Sequence, residues 1–532
     1  MIDAMKSMKI SSAPGPDGFP SMVLHDYAQE LAQCMCMLWR RSMDTQEMPD
    51  GINIAYVTPI FKGGDKSMPK NYRPVSLTSH ITKVFEKVMH KAIMNHLKIN
   101  ELLNETQHGF RQRRSTLTQL ISYHSDIICS IENDKNVDSV YLDFSKAFDK
   151  CDQHIILRKL KLLGITGKIG KWISSFLSNR QQSVVIDGHT SKKEWVLSGV
   201  PQGSVLGPLL FIIMIYDIDA KVIHSSLASY ADDTRIWRKI LDSGDNLLQC
   251  DLDNVYAWAN DNNMLFNNMK FESLSFGRNQ QQIQYTNPGG AAIECKESLR
   301  DLGVTLSSDC LFNIHIANIA SSGRLLSGWI LRTFKNHDRK ILLPLLKQIV
   351  ISKLEYCCPL WSPLDAENIR LLEDVQRTFT RRINGMFGRD RVSYWKRLEI
   401  LKLYSLQRRR ERYIIIYVWK VINNLVPNPG LKINYNPRTG YHLDPPRHNN
   451  KIRAWIRNLI GSSLISQGPA LFNTLPIHLR QKSKEVEPKI PTFKTMLDKY
   501  LQIVPDQPTI PGHIRAAATN SIIHQSWHVK ST

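Results

Sequence analysis

The stretch SSLASYADDTRIW, residues 225–237, sets two aspartates, Asp232 and Asp233, side by side between apolar flanks. The alternation Leu227, Ser229, Ala231 and then Thr234, Ile236 predicts two short strands about a tight turn, with the Asp-Asp pair at its tip. Hairpin turns favour Asn-Gly or Asp-Gly, where positive φ is cheap, so the acidic pair needs a reason to be there. A second acidic stretch is VYLDFSKAFD, residues 140–149. Its period of two predicts a strand with Val140, Leu142 and Phe144 on one side and Tyr141 and Asp143 on the other. A lone aspartate at a strand end is commonly a helix cap or a turn residue. Joined to Asp232 and Asp233 on a neighbouring strand, it completes a cluster of three like charges, which is unfavourable unless cations fill the gap. Hard carboxylate oxygens with few other ligands suit Mg²⁺, with Mn²⁺ as a substitute. Two such ions about 3.5–4 Å apart can activate a hydroxyl and stabilise a leaving pyrophosphate in an in-line displacement. The plain alternative is an exposed turn with solvated carboxylates.

The chain that must hold these groups has 532 residues, 42% hydrophobic and 22% charged, which is ordinary globular composition with material for a large core. Residues 136–305 alternate strands and helices, residues 51–135 mix short strands with helices, and residues 310–390 read as all-helical. The longest apolar run, VLGPLLFIIMIY (205–216), is too short to span a bilayer and contains Gly207 and Pro208, so a buried helix is predicted and no membrane partner. Nine cysteines form no CxxC pairs or His-containing arrays, which argues against structural zinc and a disulfide scaffold and for reduced thiols in an intracellular protein, nuclear or cytoplasmic. Past about 424, NNLVPNPGLKINYNPRTG reads as a linker or irregular surface, and the tail 505–532 as poorly ordered.

Eight ordered blocks resemble the reverse transcriptases of non-LTR, jockey-like retrotransposons. YADDT (230–234) and VYLDFSKAFD resemble their motifs C and A, and LSGVPQGSVLGPLLF (197–211) resembles motif B. APGPDGFP (13–20), VTPIFKGGDKSMPKNYRPVSLTS (57–79), QHGFRQRRST (107–116), MLFNNMKFESLSF (264–276) and LRDLGVTL (299–306) are similar to the remaining blocks, and KILLPLLKQIVISKLEYCCPLWSP (340–363) to the thumb. The resemblance implies an α+β right-hand polymerase. Its parts would be an N-terminal extension (1–50), fingers and palm with an antiparallel sheet (51–305), a helical thumb (306–390) and a basic helical C-terminal region with a flexible tail (391–532). It implies an RNA-directed DNA polymerase that takes an RNA template, a DNA primer and dNTPs, with two Mg²⁺ ions on Asp143, Asp232 and Asp233. Lys62 and Arg73 would contact the triphosphate, although alone they read as exposed loop charge. Phe148, alone a core residue, would be the gate against a 2′-OH. Gln202 and Gly203, in the turn into the motif B helix, would meet the template–nucleotide pair. Lys270, alone a solvated lysine, would donate a proton to pyrophosphate. The chain begins almost at the first polymerase block, so a separate endonuclease is the expected source of a primer end. Departures such as Phe271 where relatives carry Thr, and Cys151 where Val is common, spare the carboxylates.

The net charge of +21 is concentrated at the back. Residues 331–532 hold 34 Lys and Arg against 14 Asp and Glu, and residues 1–330 are nearly neutral. A polyanionic partner is the natural inference. In AENIRLLEDVQRTFTRRI (366–383), helical spacing puts Leu372, Val375, Phe379 and Ile383 on one face and Arg370, Arg377 and Arg381 on the other. Those arginines can meet a nucleic-acid backbone, or pair along the helix as Arg370–Asp374 and Glu373–Arg377. QRRRER (407–412), with Arg408, Arg409 and Arg410, reads as a basic surface cluster for RNA or an import signal. A catalytically inactive descendant that only binds RNA would share this basic half.

Overall fold

The period-2 stretch around Asp143 folds into strand β3 (Asn136–Asp143), the middle strand of a five-stranded sheet. The computed structural model in which it is seen describes residues 1–178, 180–241, 245–277, 283–386, 392–446, 452–482, 488–508 and 520–530. Ahead of β3, strands β1 (Ile54–Phe61) and β2 (Tyr72–Leu77) form an antiparallel pair. Strand β4 (Gln181–Ile186) joins β1 in parallel, with the short β5 (His189–Thr190) and β6 (Glu194–Trp195) beside it. In the central sheet β3 lies between β8 (Asp233–Ile240) and β9 (Glu272–Phe276), antiparallel to both. Its outer strands are β7 (Ser226–Tyr230), next to β8, and β10 (Glu294–Cys295), next to β9. Two further hairpins follow, β11–β12 (Ser298–Asp301, Val304–Ser307) and β13–β14 (Lys432–Asn436, Gly440–Asp444).

Both faces of the central sheet are covered. Val140, Leu142, Leu227 and Ile236 pack into one core with the helices His80–Ile99, Gly207–Met214 and Leu247–Asp261. Val137, Ala228, Trp237 and Leu274 pack into another with Tyr123 and the helices beyond residue 310. Neighbouring residues of one strand therefore serve different cores, and a one-residue slip would send each set to the wrong core. The helix Gly207–Met214 is buried almost throughout, as an all-round apolar sequence requires. Among the described residues no helix is long and apolar enough to cross a membrane, and the nine cysteines are unpaired.

The back half departs from expectation. The stretch 423–440, expected as a linker or irregular surface, carries the mostly exposed β13; beyond it β14 and the helices Ala454–Ser462, Leu464–Asn473 and Ile490–Ile503 bury Leu443, Phe472 and Leu497 in the core shared with residues 310–386. Their apolar residues are widely spaced in sequence and converge only in the fold. The tail is pinned where it is described. Ile522 is fully buried, and the Asp506 carboxylate accepts from the Ser405 N–H and hydroxyl, each at 2.7 Å. Residues 509–519 of the predicted flexible tail lie outside the described residues.

The QRRRER cluster is not a surface. It opens the helix Leu406–Ile422 and turns inward. Arg408 has no exposed side chain and donates to the carbonyls of Val504 (3.1 Å), Pro505 (2.7 Å) and Asn520 (3.1 Å). Arg409 forks onto Glu355, and Arg410 is buried. Arg408 and Arg409 tie distant segments together instead of standing out into solvent. Replacing Arg408 with Ala should therefore cost about 3–5 kcal/mol in denaturant unfolding, whereas Arg370→Ala, at an exposed pair, should cost less than about 1 kcal/mol.

Candidate active site

Asp143 ends β3 and stands directly opposite Asp233, the first residue of β8. Opposed residues of an antiparallel pair have Cα atoms about 4.5–5.5 Å apart, so the two carboxylates share one face and one sheet edge. Asp232 sits beside them in the turn. Because Tyr230 pairs with Asp233, the two turn residues are Ala231 and Asp232. This corrects the predicted Asp-Asp tip by one residue and puts the positive φ, 58°, on Ala231.

That turn is propped from behind by the segment 106–109. Ser229 N–H donates to the Thr106 carbonyl at 3.0 Å, and His108 N–H to the Ser229 carbonyl at 2.8 Å. The Gln107 side-chain oxygen accepts from both Gly109 (2.7 Å) and Ala231 (3.1 Å) N–H groups. A Cβ on Gly109 would stand 2.4 Å from the Ala231 nitrogen, so only glycine fits there. Sequence reasoning noted the QHGF block and missed this supporting role; the glycine was the available signal.

Crowding of negative charge shows in the titration of the cluster. Partial enclosure, then the charges of Asp232, Asp301 and Asp143, push Asp233 up to about 6, against the pull of Arg235. Enclosure and Asp143 also raise Asp232, while Arg73 and Lys270 draw it back. Lys270 Nζ meets Asp143 Oδ2 at 2.7 Å. Among the described residues no three His, Cys, Asp or Glu side chains form a ready-made ion cage. The donor set itself, hard oxygens with surplus negative charge on an open cleft, fits a divalent cation.

Behind Asp233 lies a buried pair that the sequence did not reveal, Arg235 with Asp301 of β11. The guanidinium sits 4.4 Å from the Tyr123 ring centroid. The Tyr123 hydroxyl in turn donates to Ser139 (2.7 Å) and lies 2.8 Å from that of Tyr141.

The other predicted residues surround this edge. Phe148 stacks on Phe211 (4.6 Å between centroids) and meets Phe110 edge-on (6.0 Å). Gln202 donates from its amide to Asp149 Oδ1 at 3.0 Å, and the charge of exposed Lys62 also reaches Asp149. Gly203, at φ 130°, allows a close approach to β2: a Cβ there would be 2.3 Å from the Ser76 carbonyl oxygen. Arg73 is exposed on β2 and near enough to Asp232 to lower its pKa.

Farther away, the helix Ala366–Thr380 buries Leu372, Val375 and Phe379, with Ile383 just beyond it. Arg370 pairs with Asp374 at 3.8 Å. Arg377 pairs with Asp374 at 3.6 Å and lies over the Tyr394 ring. The predicted Glu373–Arg377 pair does not form, because Glu373 is buried and accepts from the Tyr394 hydroxyl and the Leu406 N–H. Arg381 remains exposed at the end of that helix.

Residues 61–306 match the family model described as reverse transcriptase (RNA-dependent DNA polymerase). The chain is 24% identical over 392 residues to the RNA-directed DNA polymerase from mobile element jockey of Drosophila melanogaster, covering 71% of this chain and 43% of that protein. It is 25% identical over 389 residues to the probable RNA-directed DNA polymerase from transposon X-element of the same fly, covering 70% and 42%. The chain thus spans less than half the length of these relatives. Among solved structures, apo telomerase from Candida tropicalis truncated from its C-terminal domain shares 10% identity and a TM-score of 0.35, over 53% of this chain and 59% of that one, a likeness too slight to argue from.

The position of Asp233 makes a signed pH effect testable. Its folded value of about 6 lies above the ordinary 3.8, so the stability it lends is complete below that ordinary value and is lost as pH rises through about 6. Without divalent cations, Asp233→Asn should unfold at a higher temperature than wild type at about pH 8. The gap should close as pH falls through about 6 toward 4. Equal midpoints across the range would contradict the crowding.

Proposed function

We propose that the chain, whose residues 61–306 match the reverse transcriptase model and which is similar to the jockey and X-element polymerases, copies RNA into DNA, adding dNTPs to a primer 3′-OH. The observation that carries this reading is the pairing of Asp143 with Asp233 across β3 and β8, with Asp232 in the adjoining turn. In this reading residues 51–135 are the fingers, 136–305 the palm of a right hand, 306–390 a helical thumb and 391–532 a basic extension packed onto it.

Asp143, Asp232 and Asp233 would hold two Mg²⁺ ions, with Mn²⁺ as a substitute, which when bound lower the pKa of the primer hydroxyl and neutralise the departing pyrophosphate. The chain's own residues do the rest. Arg73 and Lys62, exposed beside Asp232 and Asp149, bind the triphosphate, whose charge grows during transfer. Phe148, wedged between Phe211 and Phe110, presents a rigid ring beneath the sugar, where a 2′-OH would collide. Gln202 and Gly203 shape the nucleotide side of the pocket. Lys270 keeps Asp143 company in the free chain; once that carboxylate is engaged elsewhere, the ammonium is available to protonate pyrophosphate. Arg370, Arg377 and Arg381 supply backbone contacts for template and primer.

Primer extension on an RNA template tests the reading. Asp232→Ala should lower dNTP addition by at least about a hundredfold while leaving salt-sensitive RNA binding in place, and activity equal to wild type would refute it. Phe148→Ala should raise ribonucleotide use relative to dNTP by about tenfold or more, measured by competition between rNTP and dNTP; an unchanged ratio would remove Phe148 from the gate.

A further inference from the structure

Glu86 lies within the helix His80–Ile99 and has no exposed surface. A lone buried carboxylate is costly, so its partners matter. Its Oε2 accepts the backbone N–H of Val205 at 2.7 Å and of Leu206 at 2.9 Å. These residues lead into the helix Gly207–Met214, whose first N–H groups have no partner of their own in the helix. A carboxylate at a helix start is also favoured by the helix dipole. Among the described residues the other oxygen, Oε1, has no hydrogen-bond partner, and burial pushes the carboxyl above its ordinary value while the two N–H groups pull it back.

The same loop carries Gln202 and Gly203, and it is fixed from two other sides. Ser76 N–H of β2 donates to the Gln202 carbonyl at 2.7 Å. Val200 and Gly199 N–H groups donate to the carbonyls of Phe148 and Cys151, each at 2.8 Å. Buried Arg180 donates to the Gly199 carbonyl at 2.9 Å, and its charge also attracts Glu86. Glu86 thus closes a chain of contacts: helix His80–Ile99 to Val205 and Leu206, through the loop to Gln202, and from the Gln202 amide to Asp149, next to Phe148.

We propose that Glu86 is a positioning residue for the incoming nucleotide, setting the height of the 199–206 loop so that Gln202 and Phe148 meet base and sugar together. The proposal rests on the polymerase reading above. Glu86 touches no reacting atom, so its effect falls on nucleotide binding more than on the chemical step.

Steady-state primer extension separates these effects. Glu86→Ala should raise the KM for dNTP by about tenfold or more, the loss of two charge-assisted hydrogen bonds. Its kcat should stay within about threefold of wild type, and its affinity for primer–template should be unchanged. Glu86→Gln keeps an acceptor oxygen for both N–H groups and should restore the KM to within about threefold of wild type. A KM for Glu86→Ala within about twofold of wild type, or an equal weakening of primer–template binding, would overturn the proposal. If Glu86→Ala does not fold, amide hydrogen exchange on the wild-type chain decides: the Val205 and Leu206 amides should exchange far more slowly than exposed loop amides, and fast exchange would overturn it. A wild type that adds no dNTP would instead defeat the polymerase reading, and the nucleotide role with it; slow exchange at Val205 and Leu206 would then still show the hold.

Discussion

Two carboxylates face each other across adjacent strands, and much of the fold works to keep them there. Like charges about 5 Å apart repel by about 3 kcal/mol at an effective dielectric constant near 20. Strand β3 cannot relieve this by slipping, because Val137 and Val140 are fully buried on opposite faces of the sheet, in different cores. The repulsion is met locally by cations: Lys270 on Asp143, and the charge of Arg73 on Asp232. A site that concentrates negative charge on a rigid edge, with exposed lysine and arginine at its rim, would suit a partner that brings positive charge to the carboxylates and negative charge to the rim. A metal-bound nucleoside triphosphate has that distribution.

The rigidity of the edge comes from behind it. The turn at Ala231 and Asp232 takes a positive φ at a non-glycine residue, and Gln107 with the bare backbone of Gly109 holds it. Arg235 and Asp301 tie β8 to the β11–β12 hairpin on the side where Tyr123 and Tyr141 meet. A buried pair of this kind is weak evidence for stability and better evidence for a fixed relative position of two elements. The loop at Gln202 is fixed in the same manner, by backbone contacts to β2 and to the 148–151 segment.

Features with short-range causes were legible in the sequence. The period of two around Asp143 and in the 226–240 hairpin, the all-apolar run in 205–216 and the amphipathic face of Leu372, Val375 and Phe379 each specify a local structure and a buried side. Features that depend on distant partners were not. Arg408, Arg409 and Arg410 read as a solvated cluster because what buries them is distant in sequence, as with Glu355 for Arg409 and the carbonyls of residues 504, 505 and 520 for Arg408. Residues 423–440 read as linker or irregular surface because Pro and Asn break any periodicity there, and the apolar positions beyond them that enter the core are scattered in sequence. The turn was misplaced by one residue because strand pairing, and not composition, decides which two residues it contains.

The central claim is that Asp143, Asp232 and Asp233 act as one ligand set. The most direct measurement is a crystal structure of the chain with RNA template, DNA primer, dNTP and Mn²⁺, read by anomalous scattering. The account predicts manganese peaks within about 2.0–2.3 Å of carboxylate oxygens from both β3 and the β7–β8 turn, with the Asp143–Lys270 contact opened. Peaks held by other residues, or Asp143 still seated on Lys270 with dNTP bound, would contradict it.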